Sequence, residues 1–337
     1  TAKEYRKLYP PDKYKIVLVG NKIWCDLAEE LPYWDKVISV DVKQFKSFSR
    51  YRRNILQQVR SLGAQIAVQP TFSREFYNGD SLVRASNALH KVSSIGDMSN
   101  RNKLKKWLAN RWHTELIPAS QEHISELERN AEFFSYISGK TYLSKFPKLY
   151  LPNNKLPQNH GGNKFYVLVP GASTDMKKWP VLFFSTLAEK IYQNTGWSGI
   201  ICGTKKEHPL GVQILKLSKA PLKNMSGKTE LVELSELLNQ SQLIITNDTG
   251  AAHISSALGT STVCILGGGH FGRFIPYPDL PDQASNIKAV FHKMQCYGCN
   301  WECVYTYNDG EPAPCISNVS VDAVWQEVEK IIETRAS

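Results

Sequence analysis

The chain lacks any apolar run near the ~20 residues that a membrane-spanning helix requires. No signal peptide is visible, although the start looks incomplete, and a cytoplasmic protein is expected. It has no low-complexity segment and no repeat at solenoid spacing, which excludes stacked-repeat architectures. No Asp-x-Asp pair is present, which removes the usual acidic holder of a catalytic divalent ion. No Walker A motif occurs, and no Gly-x-Gly-x-x-Gly follows the strand-like run at Lys164–Val169. A nicotinamide oxidoreductase is disfavoured on that ground.

What is present describes an ordinary globular protein. Hydrophobic residues make up 42% and charged residues 21% of 337. That length favours two domains. The formal net charge is +10, which suits nucleic acid, an acidic surface or an anionic substrate. Basic residues cluster mildly at Arg50–Arg53 and Arg101–Arg111, interleaved with Tyr51, Trp107 and Trp112. No nucleic-acid module accompanies them, so solvated helix faces are the reading adopted and no nucleic-acid partner is expected.

The pattern is α/β twice over. The start reads as the tail of a helix at Thr1–Leu8, followed by strand-like runs at Lys15–Val19, Val37–Val40 and Gln65–Val68 and a helix over Tyr51–Leu62. A first strand is expected to be missing from this unit. From Asp97 to Leu151 the pattern is helical and basic. Pro147, Pro152 and Pro157, with Asn153-Asn154, read as a linker. A second unit begins at Lys164–Val169 and continues with strands at Gly199–Ile201, Leu243–Thr246 and Thr262–Leu266. Helices fit Pro180–Tyr192, His208–Leu217, Glu230–Asn239 and Val321–Ile332. The expected domains are 1–150 and 151–337.

Two polar loops leave strands of the second unit. The first is Pro170-Gly171-Ala172-Ser173-Thr174, then Lys177 and Trp179-Pro180. Its hydroxyls can donate to phosphate oxygens, and Lys177 supplies a cation suited to a diphosphate. The second is Asn247-Asp248-Thr249-Gly250, with His253 one turn into the following helix. The free N–H groups of that helix start favour a phosphate, and Asp248 can accept from a hydroxyl. The plainer readings are a helix cap at Asp248, a surface histidine, and a polar loop with a surface lysine.

Seven cysteines are present. Cys25, Cys202 and Cys264 sit alone in apolar segments and read as buried free thiols. Cys296, Cys299, Cys303 and Cys315 form C-x2-C-x3-C-x11-C, which can wrap one tetrahedral ion. Zinc is the default and iron also suits four thiolates. Two disulfides are the rival, opposed by a reducing compartment.

The pairing of PGAST…K-x-W-P with NDTGAAH, over Phe165 to the C-terminus, resembles the ADP-heptose heptosyltransferases of glycosyltransferase family 9. The resemblance implies a GT-B fold: two Rossmann-like domains facing across a cleft, with the nucleotide sugar held by the C-terminal one. By that resemblance Ser173, Thr174 and Lys177 hold the diphosphate, and Asp248, Thr249, Gly250 and His253 position the nucleotide and leaving group. The family's base is a carboxylate after the first strand of the N-terminal domain. The substitute expected here lies in Gln69–Asp80, at Asp80 or Glu75. The cysteine pattern narrows the resemblance to the bacterial autotransporter heptosyltransferases. These carry a structural iron, assemble into large rings, and transfer heptose to serines of adhesins. That implies a protein acceptor and a homo-oligomer. A lipopolysaccharide core heptosyltransferase is the alternative. A sugar epimerase and a metal-bearing nucleic-acid binder are further rivals.

Overall fold

The computed structural model describes residues 1–151, 164–280 and 284–336, without the Ala336 side chain. The chain divides into two compact units, Thr1–Ser144 and Lys145–Ser337.

The first unit begins with helix α1 (Ala2–Leu8). Strand β1 (Val17–Asn21), helix α2 (Lys22–Glu29) and strand β2 (Lys36–Val40) follow, with β1 and β2 paired in parallel. Helix α3 (Arg50–Arg60) starts where the Ser49 hydroxyl accepts from the Arg52 N–H. Its apolar positions Ile55 and Val59, one turn apart, pack on Ile38 and Val40. Strands β3 (Ile66–Gln69), β4 (His90–Ser94) and β5 (Glu115–Ile117) form a separate parallel sheet. Helices α4 (Ser81–Ala85) and α5 (Lys103–Asn110) connect them. Helix α6 (Glu126–Ser138) opens on a Ser125–Glu128 capping box and closes on Gly139 at φ 65°.

Strand β5 lies inside the stretch expected to be helical. Three residues are too few to show an alternation, and its pairing with β4 supplies the order. The expected linker residues Pro152, Asn153, Asn154 and Pro157 lie outside the described residues. Pro147 does not sit in a free linker: neighbouring Phe146 stacks on Tyr277, with ring centroids 5.7 Å apart, and the Leu149 N–H donates to the Ala257 carbonyl.

The second unit is built on six parallel strands: β6 (Phe165–Val169), β7 (Ser198–Ile201), β8 (Leu222–Asn224), β9 (Leu243–Asn247), β10 (Thr262–Leu266) and β11 (Ile287–Phe291). Their spatial order is β8-β7-β6-β9-β10-β11, the doubly wound order. Helices α7 (Val181–Thr195), α8 (His208–Leu217), α9 (Leu231–Gln240), α10 (Gly250–Leu258), α11 (Pro314–Ser317) and α12 (Val321–Ala336) cover the sheet. Strands β6, β9 and β10 are buried along their whole length, which is why they read as continuous apolar runs. Alternate side chains serve the two faces. Tyr166, Leu168 and Ile245 pack with α7 and α12, while Phe165, Val167 and Ile244 pack with α9. Truncating one of them, such as Leu168→Ala, costs ~2–5 kcal/mol.

Strands β8 and β11 escaped the sequence reading. The first has three residues, and the second mixes Lys288 into an edge position.

Candidate active site

In a doubly wound sheet the strand order reverses at one point, and ligands bind outside the carboxyl ends of the strands there. Here that point lies between β6 and β9, whose register pairs Val169 with Thr246. The two polar loops leave these two strands, so the topology brings them side by side.

Asn247 joins them. It is fully buried; its Nδ2 donates to the carbonyls of Pro170 (2.8 Å) and Gly171 (3.2 Å), and its Oδ1 accepts from the Trp179 N–H (3.1 Å). Losing such a buried amide would leave several polar groups unpaired, at ~1–3 kcal/mol each. Sequence reading placed Asn247 in the motif without a role, because a staple between loops 76 residues apart appears only in three dimensions. Glu207 was also missed: its carboxylate lies close enough to Gly171 that an added Cβ there would come within 2.0 Å of it.

The cap of α10 is Thr249 rather than Asp248, and Thr249 makes no side-chain cap bond. Its hydroxyl meets the Thr246 hydroxyl at 3.1 Å. Gly250, the first helical residue, is exposed, and an added Cβ would meet nothing within 4 Å. The helix start is therefore open: among the described residues no side chain claims its N–H groups or the positive dipole end. Asp248 is half-buried and makes no hydrogen bond among the described residues. Its charge raises the proton affinities of Lys177, His253 and His270, which places all three within its field.

On the facing loop, Ser173 and Thr174 are exposed and Lys177 ends a short turn at Asp175–Lys177. Burial lowers the Lys177 pKa, with Asp248 opposing that effect. The ammonium stands 4.4 Å from the centroid of the Trp301 ring. His253 Nδ1 meets the Tyr277 hydroxyl at 2.9 Å. Burial lowers its pKa from 6.5, so it is neutral at pH 7. Burial also pushes the Tyr277 phenol up to about 12.

A glycine fingerprint does occur, at a different strand. Gly267-Gly268-Gly269-His270-Phe271-Gly272 follows β10 with Gly-x-Gly-x-x-Gly spacing. It leads into turns rather than a helix. The space a Cβ would need at Gly267 and Gly269 is filled by Trp301, and at Gly268 by Tyr297. These glycines admit aromatic rings from the cysteine segment, and no helix start stands there to hold a dinucleotide phosphate.

All seven cysteines are free thiols. Cys25, Cys202 and Cys264 are buried, and burial pushes Cys202 up to about 12. Cys296, Cys299, Cys303 and Cys315 line one small pocket with Met176 and Trp301. Burial raises the Cys315 pKa, and the other three thiols reinforce the shift. The donor chemistry suits a thiol-seeking ion. The geometry is that of a pocket wall: among the described residues no three His, Cys, Asp or Glu side chains converge as a ligand set.

Asp80 departs from its expected role as an accessible base. It has no exposed surface and pairs with Arg74 Nε at 3.3 Å and Arg101 Nη1 at 3.0 Å; His113 Nε2 lies 3.7 Å away. A carboxylate with no exposed surface, held between two guanidiniums inside the fold, is closed to an incoming hydroxyl. Glu75 is exposed and accepts from the Asn78 amide.

These features describe a GT-B-like α/β protein with a phosphate-suited switch point in its second unit. The solved structure of ADP-heptose lipopolysaccharide heptosyltransferase II from E. coli shares the fold, with a TM-score of 0.70, 14% identity, and coverage of 100% of this chain and 94% of that one. The E. coli heptosyltransferase WaaC, solved with ADP-2-deoxy-2-fluoro heptose, gives 0.67 at 15% identity, over 98% and 93%.

The profile of glycosyltransferase family 9 (heptosyltransferase) matches residues 119–302. That is more than half of the chain, and the chain belongs to this family. Lipooligosaccharide heptosyltransferase 2 of Campylobacter jejuni is 30% identical over 176 residues, 50% of this chain and 52% of that protein. Lipopolysaccharide heptosyltransferase 2 of Salmonella typhimurium is 31% identical over 103 residues, 29% of each. The chain thus spans about half the length, or less, of the curated relatives it matches.

Proposed function

We propose that the protein transfers heptose from ADP-heptose to a hydroxyl acceptor. The observation that carries this reading is the convergence of the Ser173–Lys177 loop and the open start of α10 at the switch point of one sheet. An acceptor hydroxyl attacks the anomeric carbon, the bond to the diphosphate oxygen breaks, and ADP leaves. Negative charge grows on the diphosphate. Lys177, the hydroxyls of Ser173 and Thr174, and the first N–H groups of α10 stabilise it there. Fixed positive charge of this kind replaces a divalent ion, consistent with the missing Asp-x-Asp pair. Asp248 accepts from a hydroxyl of the sugar or ribose, and neutral His253 positions the leaving group. The acceptor proton passes to an exposed carboxylate, a role that buried Asp80 cannot fill.

For the acceptor, the resemblance of the C-x2-C-x3-C-x11-C segment to the autotransporter heptosyltransferases favours serines of an adhesin. The names of the matched relatives favour a second reading, the core of a lipopolysaccharide. ADP release with each acceptor, followed by mass spectrometry of the product, tests both: a heptosylated peptide supports the first, a heptosylated core saccharide the second. No ADP release with either would overturn the activity itself.

Cytoplasmic action and a homo-oligomeric ring belong to the same reading. So does one structural iron or zinc ion drawn in by Cys296, Cys299, Cys303 and Cys315. Elemental analysis of protein purified without chelators should find about one equivalent per chain, and Cys299→Ser should lower it. A wild-type content under roughly a tenth of an equivalent excludes the ion.

A further inference from the structure

The cysteine segment does not stand apart from the switch point. The Gly298 N–H donates to the Gly268 carbonyl (2.8 Å) and the Asn300 N–H to the Gly269 carbonyl (3.0 Å), tying the segment to the loop after β10. The Ala313 N–H donates to the Met176 carbonyl at 2.9 Å, and the Tyr307 hydroxyl reaches the Met176 sulfur at 3.7 Å. These contacts tie the same segment to the loop after β6, beside Lys177. Between the two sets of ties, Asn300 and Trp301 take positive φ angles of 52° and 66°. Side-chain-bearing residues avoid that region unless surrounding contacts compensate. Here the compensation is visible. Asn300 Oδ1 meets His270 Nε2 at 2.8 Å. The Trp301 ring fills the space left bare at Gly267 and Gly269, and Lys177 Nζ stands 4.4 Å from its centroid.

We propose that Trp301, carried between Cys299 and Cys303, is a positioning residue of the donor site. Its ring holds the Lys177 ammonium at the mouth of the β6 loop, where a nucleoside diphosphate would meet it, and Asn300 orients His270 beside it. A lysine on four flexible carbons otherwise samples many rotamers, and each one frozen on binding lowers affinity. A cation over an indole face is attracted with enough strength to bias that choice and is weak enough to release when two phosphate groups arrive.

This inference rests on the donor-site reading, and calorimetry of ADP binding separates the two. Lys177→Ala should weaken ADP binding at least tenfold. Trp301→Leu should weaken it about three- to tenfold, and Trp301→Phe should restore most of the loss. The double variant Lys177→Ala/Trp301→Leu should bind no worse than Lys177→Ala alone, since the ring acts through the lysine. If Lys177→Ala leaves affinity unchanged, the donor-site reading fails. If Lys177→Ala is weak but Trp301→Leu is without effect, or the losses simply add, the positioning role is overturned while that reading stands. A measurement on the unaltered fold guards against a Trp301 variant that does not fold. In reductively 13C-methylated protein, the Lys177 signal, assigned with Lys177→Arg, should be shifted upfield by the indole ring current and should move back when ADP is added. A Lys177 signal at the position of solvent-exposed lysines overturns the proposal.

Discussion

The loop after β3 and the loop after β6 begin alike. Each leaves a parallel strand through a proline, Pro70 or Pro170, and each carries hydroxyls, a cation and a carboxylate within a few residues. They end in opposite states. In the first, Arg74 and Asp80 turn inward, lose all contact with water, and join Arg101. In the second, Ser173 and Thr174 stay exposed, and Lys177 makes no ion pair among the described residues. The first loop buries Arg74 and Asp80 in its own fold. The second pairs Asp175 with Lys178 at the surface and leaves Lys177 for something that arrives. Position at a strand end therefore does not define a site; the pairing and burial of the charges do.

Removing Asp80 should give the largest effect. Asp80→Asn leaves two buried guanidiniums facing a neutral amide, and breaking a buried pair of this kind costs ~3–5 kcal/mol. The midpoint of denaturant unfolding should fall accordingly, while turnover per folded molecule survives. Unchanged stability with abolished turnover would reverse the comparison and restore Asp80 as the base.

Ligand should act on the second loop instead. ADP without Mg2+ should raise the melting temperature, with a gain of about 2.7 kcal/mol at a hundredfold excess over Kd. A shift seen only with Mg2+ would remove the role given to Lys177 and the α10 start. Lys177→Ala and Asp248→Ala should each lower turnover tenfold or more, from the ~1.5–3 kcal/mol of a charge-assisted contact. Both should melt close to wild type, since neither charge holds the fold together. Thermal melts beside steady-state rates check the pair.

The smallest effect concerns acid. Burial, with Arg74 and Arg101 nearby, drives the His113 pKa to about 4, against 6.5 unfolded. Between those values the unfolded chain takes a proton that the fold refuses, so stability is lost as pH falls from about 6.5 to about 4 and is untouched above. Lys91 adds to the repulsion, and the Ala109 carbonyl opposes it. Burial raises the pKa of Asp80 itself, so its own titration runs in the opposite direction. His113→Gln should flatten the melting temperature across that window. An unchanged slope would place the acid sensitivity elsewhere.

Much of the fold was legible because its signals are local. The runs at Leu243–Ile245 and Thr262–Leu266 are buried on both faces and so are apolar throughout. Helix α8 fell on His208–Leu217 as expected, with Pro209 in its first turn. Three-residue β5 and β8 were lost because a period cannot show in so short a run. Asp80 misled for a related reason. Next to Gly79 and Ser81 it looks like any loop carboxylate, and its partner Arg101 lies 21 residues away.

The sequence by itself determined the α/β alternation, the two polar strand-end loops and the four-cysteine segment, because each is written in residues near one another in the chain. Only the tertiary structure decided that β6 and β9 are neighbours, that Asn247 staples their loops, that Asp80 is consumed by arginines, and that Trp301 lies over Lys177. Those facts depend on strand order and burial. Both arise when distant segments compete for the same interior, and neither is encoded at any single position.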